Sequence, residues 1–407
     1  MTANLTNEEK RVIIYSEETD PTISSSVNPD TLLSSLNLNW REKDLPERER
    51  TKHVHRLHPY LGKFIPQLVE VFLRKYFKPG QTVLDPFGGS GTTLVQANEL
   101  GVNSVAYDIS AFNVLLMQAK TDRYDLKKVK YEIADILERV NLETQTHSHQ
   151  MTLWEKESEY KVNLENEYLS TWFAPQALRE LITYRNLIEQ YEYQNLLKIV
   201  LSRSARSSRL TTHFDLDFPK APQTKPYWCY KHSRTCVPTM TAFKFLRRYS
   251  LDTVKRIEEY SALRTNAQVS IFHGDSRYEK IPPIDGVVTS PPYVGLIDYH
   301  EQHRYAYELF NLEDRRSYEI GPAEKGSGQK AKDAYQEAIT QVFKNAMKSM
   351  KPGGYIIVVA GDKYGLYDEI AGGCGVSVEA IVRRHVNRRT GRRSSEFYED
   401  VFIWRKP

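Results

Sequence analysis

Apolar residues recur at helical spacing over residues 65–77, and Pro79-Gly80 then closes the run, which predicts a helix there. The same spacing predicts helices over 92–100, 112–120, 126–142, 175–201, 251–263 and 334–350. Short apolar runs at 82–84, 102–107, 269–272, 286–289 and 355–360 read as buried strands. Two further β-rich runs, 380–386 and 398–404, end the chain. Strand, Gly-rich turn, helix and strand follow one another between residues 82 and 108, which is one βαβ unit. The α/β regularity lapses after Ser110 and resumes near Val269. An α/β domain of residues 51–120 and 266–407 is therefore expected, interrupted by 121–265. A structureless loop of that length is implausible, so the insertion is expected to be folded and mainly helical. Residues 1–50 are polar, rich in Ser, Thr and Asn and weakly periodic, and are expected to form a flexible or loosely docked arm. There are no internal repeats.

Of 407 residues, 40% are apolar and 27% charged, an ordinary soluble composition. No apolar run nears the roughly 18 residues of a membrane span. Residues 1–10 are polar and do not form a secretory signal. Three cysteines do not make a disulfide scaffold and fit a reducing cytosol, so a cytoplasmic protein is expected. The net charge is only +4, but its distribution is uneven. Residues 201–249 carry Arg203, Arg206, Arg209, Lys231, Arg234 and further Lys and Arg against two Asp. A second cluster, Arg383, Arg384, Arg388, Arg389, Arg392 and Arg393, lies near the C-terminus. Two basic stripes on a nearly neutral chain point to a polyanion.

The turn Asp85-Pro86-Phe87-Gly88-Gly89-Ser90-Gly91-Thr92-Thr93 joins a strand to a helix. Glycines there let backbone N–H groups approach a ligand closely. The turn lacks the Gly-Lys-Ser/Thr of a P-loop, and its opening Asp85-Pro86 is not the dinucleotide fingerprint. Asp85 suits a cationic ligand, and Asp108 ends the next strand, where a Rossmann-like fold places a ribose-binding carboxylate. Together they describe S-adenosylmethionine; alone, the turn could equally be one that packs helix on strand. Thr289-Ser290-Pro291-Pro292-Tyr293 also follows a strand directly. Two prolines stiffen the backbone and fix an acceptor array of carbonyls and the Ser290 hydroxyl. With the Tyr293 ring beside it, that array fits a planar base bearing an exocyclic amine.

Taken jointly, the two motifs resemble those of the amino-group DNA methyltransferases, most closely the cytosine-N4 branch. The run His58-Pro59-Tyr60-Leu61-Gly62-Lys63-Phe64-Ile65-Pro66 is similar to the family's element over the methionine end of the cofactor. The match covers about 52–110 and 268–407. The resemblance implies a Rossmann-like class I methyltransferase fold. It implies that Tyr60, Lys63, Phe64, Asp85, Pro86, Phe87, Gly89, Gly91, Asp108 and Asp275 hold S-adenosylmethionine. Ser290, Pro291, Pro292 and Tyr293 would form the catalytic turn for a cytosine flipped out of double-stranded DNA. The insertion would recognise the target, through Tyr227, Trp228 and Tyr230 with Arg206, Arg209, Lys231 and Arg234, helped by Arg389 and Arg392. A restriction endonuclease could share the site without forming a stable complex. The cofactor motif precedes the catalytic one here, whereas many cytosine-N4 members run in the opposite order. Adenine-N6 methylation, RNA guanine-N2 methylation and a non-catalytic DNA binder remain alternatives. No cysteine directly follows a proline, which disfavours ring-carbon methylation. Cys229, His232 and Cys236 lack a fourth ligand and usual spacing, so no metal is expected.

Overall fold

The structure is a computed structural model that describes residues 13–15, 20–150, 166–386 and 397–407. Its centre is an eight-stranded sheet. The strands are β1 (Ile13–Tyr15), β2 (Thr82–Asp85), β3 (Asn103–Asp108), β6 (Val269–His273), β7 (Gly286–Thr289), β8 (Tyr355–Ala360), β9 (Ser377–His385) and β10 (Tyr398–Arg405). They lie in the order β1-β9-β10-β8-β7-β2-β3-β6. All neighbours are parallel except β10, which runs antiparallel to β8 and β9. Strands alternating with helices in a mostly parallel sheet make this a Rossmann-like α/β fold.

Side chains alternate across the sheet and build two cores. Val83, Val288, Ile357, Val401 and Ile403 face α1 (Pro66–Tyr76) through Leu68, Val69 and Phe72. Leu84, Val287, Ile356, Phe402 and Trp404 face α9 (Gln329–Lys348) and α10 (Tyr367–Cys374) through Ile339, Phe343 and Ile370. Between these come α2 (Thr92–Glu99) and α3 (Ala111–Thr121), which flank β3 in the chain.

The N-terminal arm, expected to be flexible or loosely docked, is docked over its described residues. Val27, Leu36, Leu38, Trp40 and Leu45 are buried in the same core as α1. Trp40 Nε1 donates to the Thr22 carbonyl at 2.9 Å, and β1 pairs with the edge strand β9. The segment is irregular, so its few anchoring apolar residues leave no periodic trace in the sequence.

The insertion contains α4 (Leu126–Gln150), α5 (Pro175–Leu187), α6 (Gln194–Ser208) and α7 (Phe243–Ser261). It is not a separate globule. Ile133, Ile136, Leu181, Tyr184, Val200 and Ile257 share one core with Phe112 and Leu116 of α3 and with Tyr305 and Leu309 of α8 (Arg304–Phe310). The single helix expected over 175–201 is two, because buried Glu132 accepts the backbone N–H groups of Glu192 and Tyr193, both at 3.1 Å. Helix α7 begins before residue 251 because Glu180 accepts from the N–H groups of Ala242 and Phe243 at 2.6 and 2.7 Å. Each carboxylate satisfies donors that a helix start leaves unpaired. Between α6 and α7 lies a hairpin of β4 (Tyr227–Cys229) and β5 (Arg234–Cys236). No helix among the described residues is long and apolar enough to cross a membrane.

Candidate active site

Strand β2 ends at Asp85, and the glycine turn carries the chain into α2. Gly91 occupies the cap of that helix with φ +75°, a conformation that L side chains rarely adopt. At Gly88 an added Cβ would lie 2.5 Å from Met117 Sδ, so the turn packs directly on α3. Gly89 N–H donates to Asp108 Oδ2 at 2.7 Å, and Asn113 Nδ2 donates to the same oxygen at 3.1 Å. Ser110 N–H donates to Asp108 Oδ1 at 2.8 Å. Burial raises the Asp108 carboxyl above its ordinary pKa, against these donors.

Beside this turn opens a cleft of about 840 Å³. Tyr60, Lys63 and Phe64 line it from the segment before α1; Pro86, Phe87 and Gly89 line it from the turn. Asp108, Asp275, Ser290 and Pro292 complete the expected residues that reach it. Tyr60 Oη accepts from Asn113 Nδ2 at 3.2 Å, whereas Asn113 Oδ1 is buried without a partner. Lys63 donates to the His55 carbonyl at 2.8 Å, and burial pulls its ammonium down to about 8. Asp275 is engaged by the Arg277 guanidinium at 2.6 Å.

Asp85, Gly91, Pro291 and Tyr293 do not line the cleft. Asp85 is 1% exposed and accepts from Thr289 Oγ1 at 2.6 Å. It therefore ties the glycine turn to the Ser290 turn from beneath, in place of the direct ligand contact expected for it. Burial pushes its carboxyl up to about 6. Tyr293 is partly buried, and its hydroxyl donates to Glu399 Oε1 at 3.1 Å. Glu399 is held in turn by Arg384 at 2.5 Å. On the other side, Tyr335 Oη donates to the Pro292 carbonyl at 2.8 Å and meets the Tyr367 hydroxyl at 2.8 Å. The proline turn is thus braced by three elements remote in sequence.

Several cleft residues carry no motif. Tyr299, His300 and Glu319 line it from the stretch after the Ser290 turn, where Glu319 accepts from the His300 N–H at 2.9 Å and from its ring. Asn113 was also missed, although it lies on the helix capped by Ser110, just beyond Asp108.

The chain's relatives show its family. Residues 6–119 match the sequence profile of a family described as DNA methylase. Type II methyltransferase M.MjaII of Methanocaldococcus jannaschii is 39% identical over 430 residues, spanning 88% of this chain and 81% of that protein. The chain belongs to the exocyclic-amino DNA methyltransferases. Its cofactor is S-adenosylmethionine. This methyltransferase is also 26% identical to Type II methyltransferase M.MvaI of Kocuria varians, over 67% of this chain and 58% of that one. It is 21% identical to M.BsoBI of Geobacillus stearothermophilus, over 68% of this chain and 57% of that one.

The methyltransferase's basic residues divide sharply. Arg206 is ion-paired with Asp217. Arg209 is 2% exposed, donates to the Leu216 carbonyl and lies over the Tyr305 ring at 4.5 Å. Neither stands free on the surface as expected, because Arg206 is half-buried in its ion pair and Arg209 is buried. Lys231 and Arg234 are exposed on the β4–β5 hairpin beside exposed Trp228 and Tyr230. Arg389 and Arg392 lie outside the described residues. His213 stands with Cys229, His232 and Cys236, so four residues that could hold a metal ion come together where the sequence showed three.

Proposed function

We propose that this methyltransferase methylates the exocyclic N4 amine of a cytosine flipped out of duplex DNA, at a specific sequence. The observation that carries the reading is the meeting of the glycine turn with Ser290 and Pro292 at one cleft, the two turns being tied by the Asp85–Thr289 hydrogen bond. The residues fit the cofactor: Asp108, held by Gly89 N–H, would accept the ribose hydroxyls, Asn113 Oδ1 has an unused acceptor, and Gly89 keeps room against Tyr60, whose Oη would lie 3.2 Å from an added Cβ. Tyr60, Lys63 and Phe64 would cover the methionine end. When bound, S-adenosylmethionine supplies an electrophilic methyl group.

The chain's own groups then act on the base. Flipping it out costs a few kcal/mol, and stacking on Tyr293 returns about 1–3 kcal/mol. The amine lone pair is conjugated into the ring and weakly nucleophilic. Ser290 Oγ and the Pro291 carbonyl accept the amine hydrogens and help localise that pair on nitrogen. The Pro292 carbonyl is already taken by Tyr335, so it serves to hold the turn. The N–C bond would form as the S–CH3 bond breaks, leaving its electron pair on sulfur as S-adenosylhomocysteine, and the nitrogen would shed one proton to water. Positioning and fixed dipoles supply most of the rate.

The Type II names of the relatives support a protective role beside a restriction endonuclease that reads the same site. Adenine-N6 methylation is the second reading, favoured by the order of the two motifs. The test is transfer from labelled S-adenosylmethionine to unmodified duplex DNA by the wild type, Ser290→Ala and Tyr293→Ala. Both variants are expected to lose at least about 100-fold in transfer rate. Their affinity for S-adenosylhomocysteine should stay within about threefold. Full activity in either variant would remove the assignment of the site.

A further inference from the structure

Residues 211–241, between α6 and α7, have no apolar core of their own. Their only buried side chains are Cys229 and Cys236, at 1% and 9% exposure. Phe214, Phe218, Trp228, Tyr230, Val237 and Met240 all stand exposed. The regular structure here is one hairpin of three-residue strands. A two-stranded hairpin of that length is not stable in water by itself. Small coreless segments are held by disulfides or structural metals.

The two buried cysteines stand in a candidate ligand set with half-buried His213 and exposed His232. One ligand atom from each of His213, Cys229, His232 and Cys236 lies within 4.8 Å of all the others. Cys229 Sγ is 3.5 Å from His213 Nδ1, and Cys236 Sγ is 3.4 Å from His232 Nδ1. A tetrahedral zinc site with Zn–S of about 2.3 Å and Zn–N of about 2.0 Å has S···N edges of about 3.5 Å. The two imidazole rings meet edge to face with centroids 4.4 Å apart. Tyr227 Oη lies 2.8 Å from His213 Nδ1 and holds that ring beside the cysteines; coordination would take the nitrogen lone pair in its place.

We infer that His213, Cys229, His232 and Cys236 form a structural zinc site that fixes the β4–β5 hairpin. Binding converts both thiols to thiolates and releases two protons, and with two neutral imidazoles the centre carries no net charge. All four positions are taken by protein, which marks a structural rather than a catalytic ion. The zinc joins the loop at His213 to the hairpin and so presents Trp228, Tyr230, Lys231 and Arg234 as one rigid face. The inference is independent of which base is methylated, since none of the four ligands lines the catalytic cleft.

The test is elemental analysis of the full chain purified under reducing conditions. The wild type should carry about one zinc per chain. Cys229→Ser, Cys236→Ser and His213→Asn should each lower zinc content at least about tenfold. Cys374→Ser should leave it unchanged, because Cys374 lies elsewhere, against Thr340. Retained binding of S-adenosylhomocysteine reports that each variant's catalytic half is folded. In the wild type, cobalt(II) replacing zinc should give the intense visible bands of a tetrahedral thiolate site. A reduced wild type that takes up neither zinc nor cobalt overturns the inference. So does zinc retained by the cysteine variants, or a Cys229–Cys236 disulfide in the freshly isolated protein.

Discussion

The cleft and the β4–β5 segment are built on opposite plans. Around the cleft, order comes from burial: Asp85, Asp108 and the proline turn are cross-braced by Thr289, Gly89, Tyr335 and Glu399, and two apolar cores flank the sheet beneath. In residues 211–241 the apolar residues are mostly outside, and the only buried side chains are those of Cys229 and Cys236. The first plan suits a site whose reacting groups must be preorganised. The second suits a surface that meets DNA with aromatic and cationic side chains, and it needs a staple because exposed rings cannot also form a core. Catalysis and recognition should therefore fail separately.

The largest separation is expected from Ser290→Ala and Cys229→Ser. The first should lose transfer at least about 100-fold with DNA binding intact. The second should lose zinc and duplex affinity with S-adenosylhomocysteine binding intact. Isothermal titration of each variant with cofactor product and with duplex checks this, and parallel losses in both variants would erase the distinction.

Asp85→Asn probes the buried brace. The folded pKa of Asp85 stands at about 6, above its ordinary 3.8. Its favourable contribution is thus complete below the ordinary value and is lost as pH rises through 6. Asn carries no charge, so the variant should be more stable than the wild type at neutral pH, by up to about 3 kcal/mol before any loss of hydrogen bonding. The gap should close as the pH approaches 4. Melting curves across that range check the sign; a gap independent of pH would mean that Asp85 titrates normally.

Arg209→Ala should lower stability by about 2–4 kcal/mol, since it strips a buried cation from the Leu216 carbonyl and the Tyr305 ring. Lys231→Ala should do the reverse, leaving the melting temperature within about a degree and weakening duplex binding only several-fold. Its salt dependence should flatten by about one unit in slope. Binding measured at two salt concentrations distinguishes the two residues.

The catalytic half was legible because its signals are local. Strand alternation, the glycine turn and Ser-Pro-Pro-Tyr each lie within a few neighbouring residues. What escaped was non-local. The carboxylates of Glu132 and Glu180 that start α6 and α7 come from other helices. Glu399 and Tyr335 reach the catalytic turn from far along the chain. Arg206 and Arg209 looked like DNA ligands because a sequence does not display that Asp217 and the Leu216 carbonyl fold back onto them. That His213 comes beside Cys229 was missed for the same reason, since it lies sixteen residues earlier in an irregular stretch. The N-terminal arm hides a handful of anchors among polar residues.

The measurement closest to the central claim is mass spectrometry of nucleosides from duplex DNA methylated by the wild-type chain. The account predicts N4-methylcytosine, absent when Ser290→Ala replaces the wild type. N6-methyladenine would contradict the choice of base, and unmodified DNA from a protein that binds S-adenosylmethionine would contradict the proposed substrate.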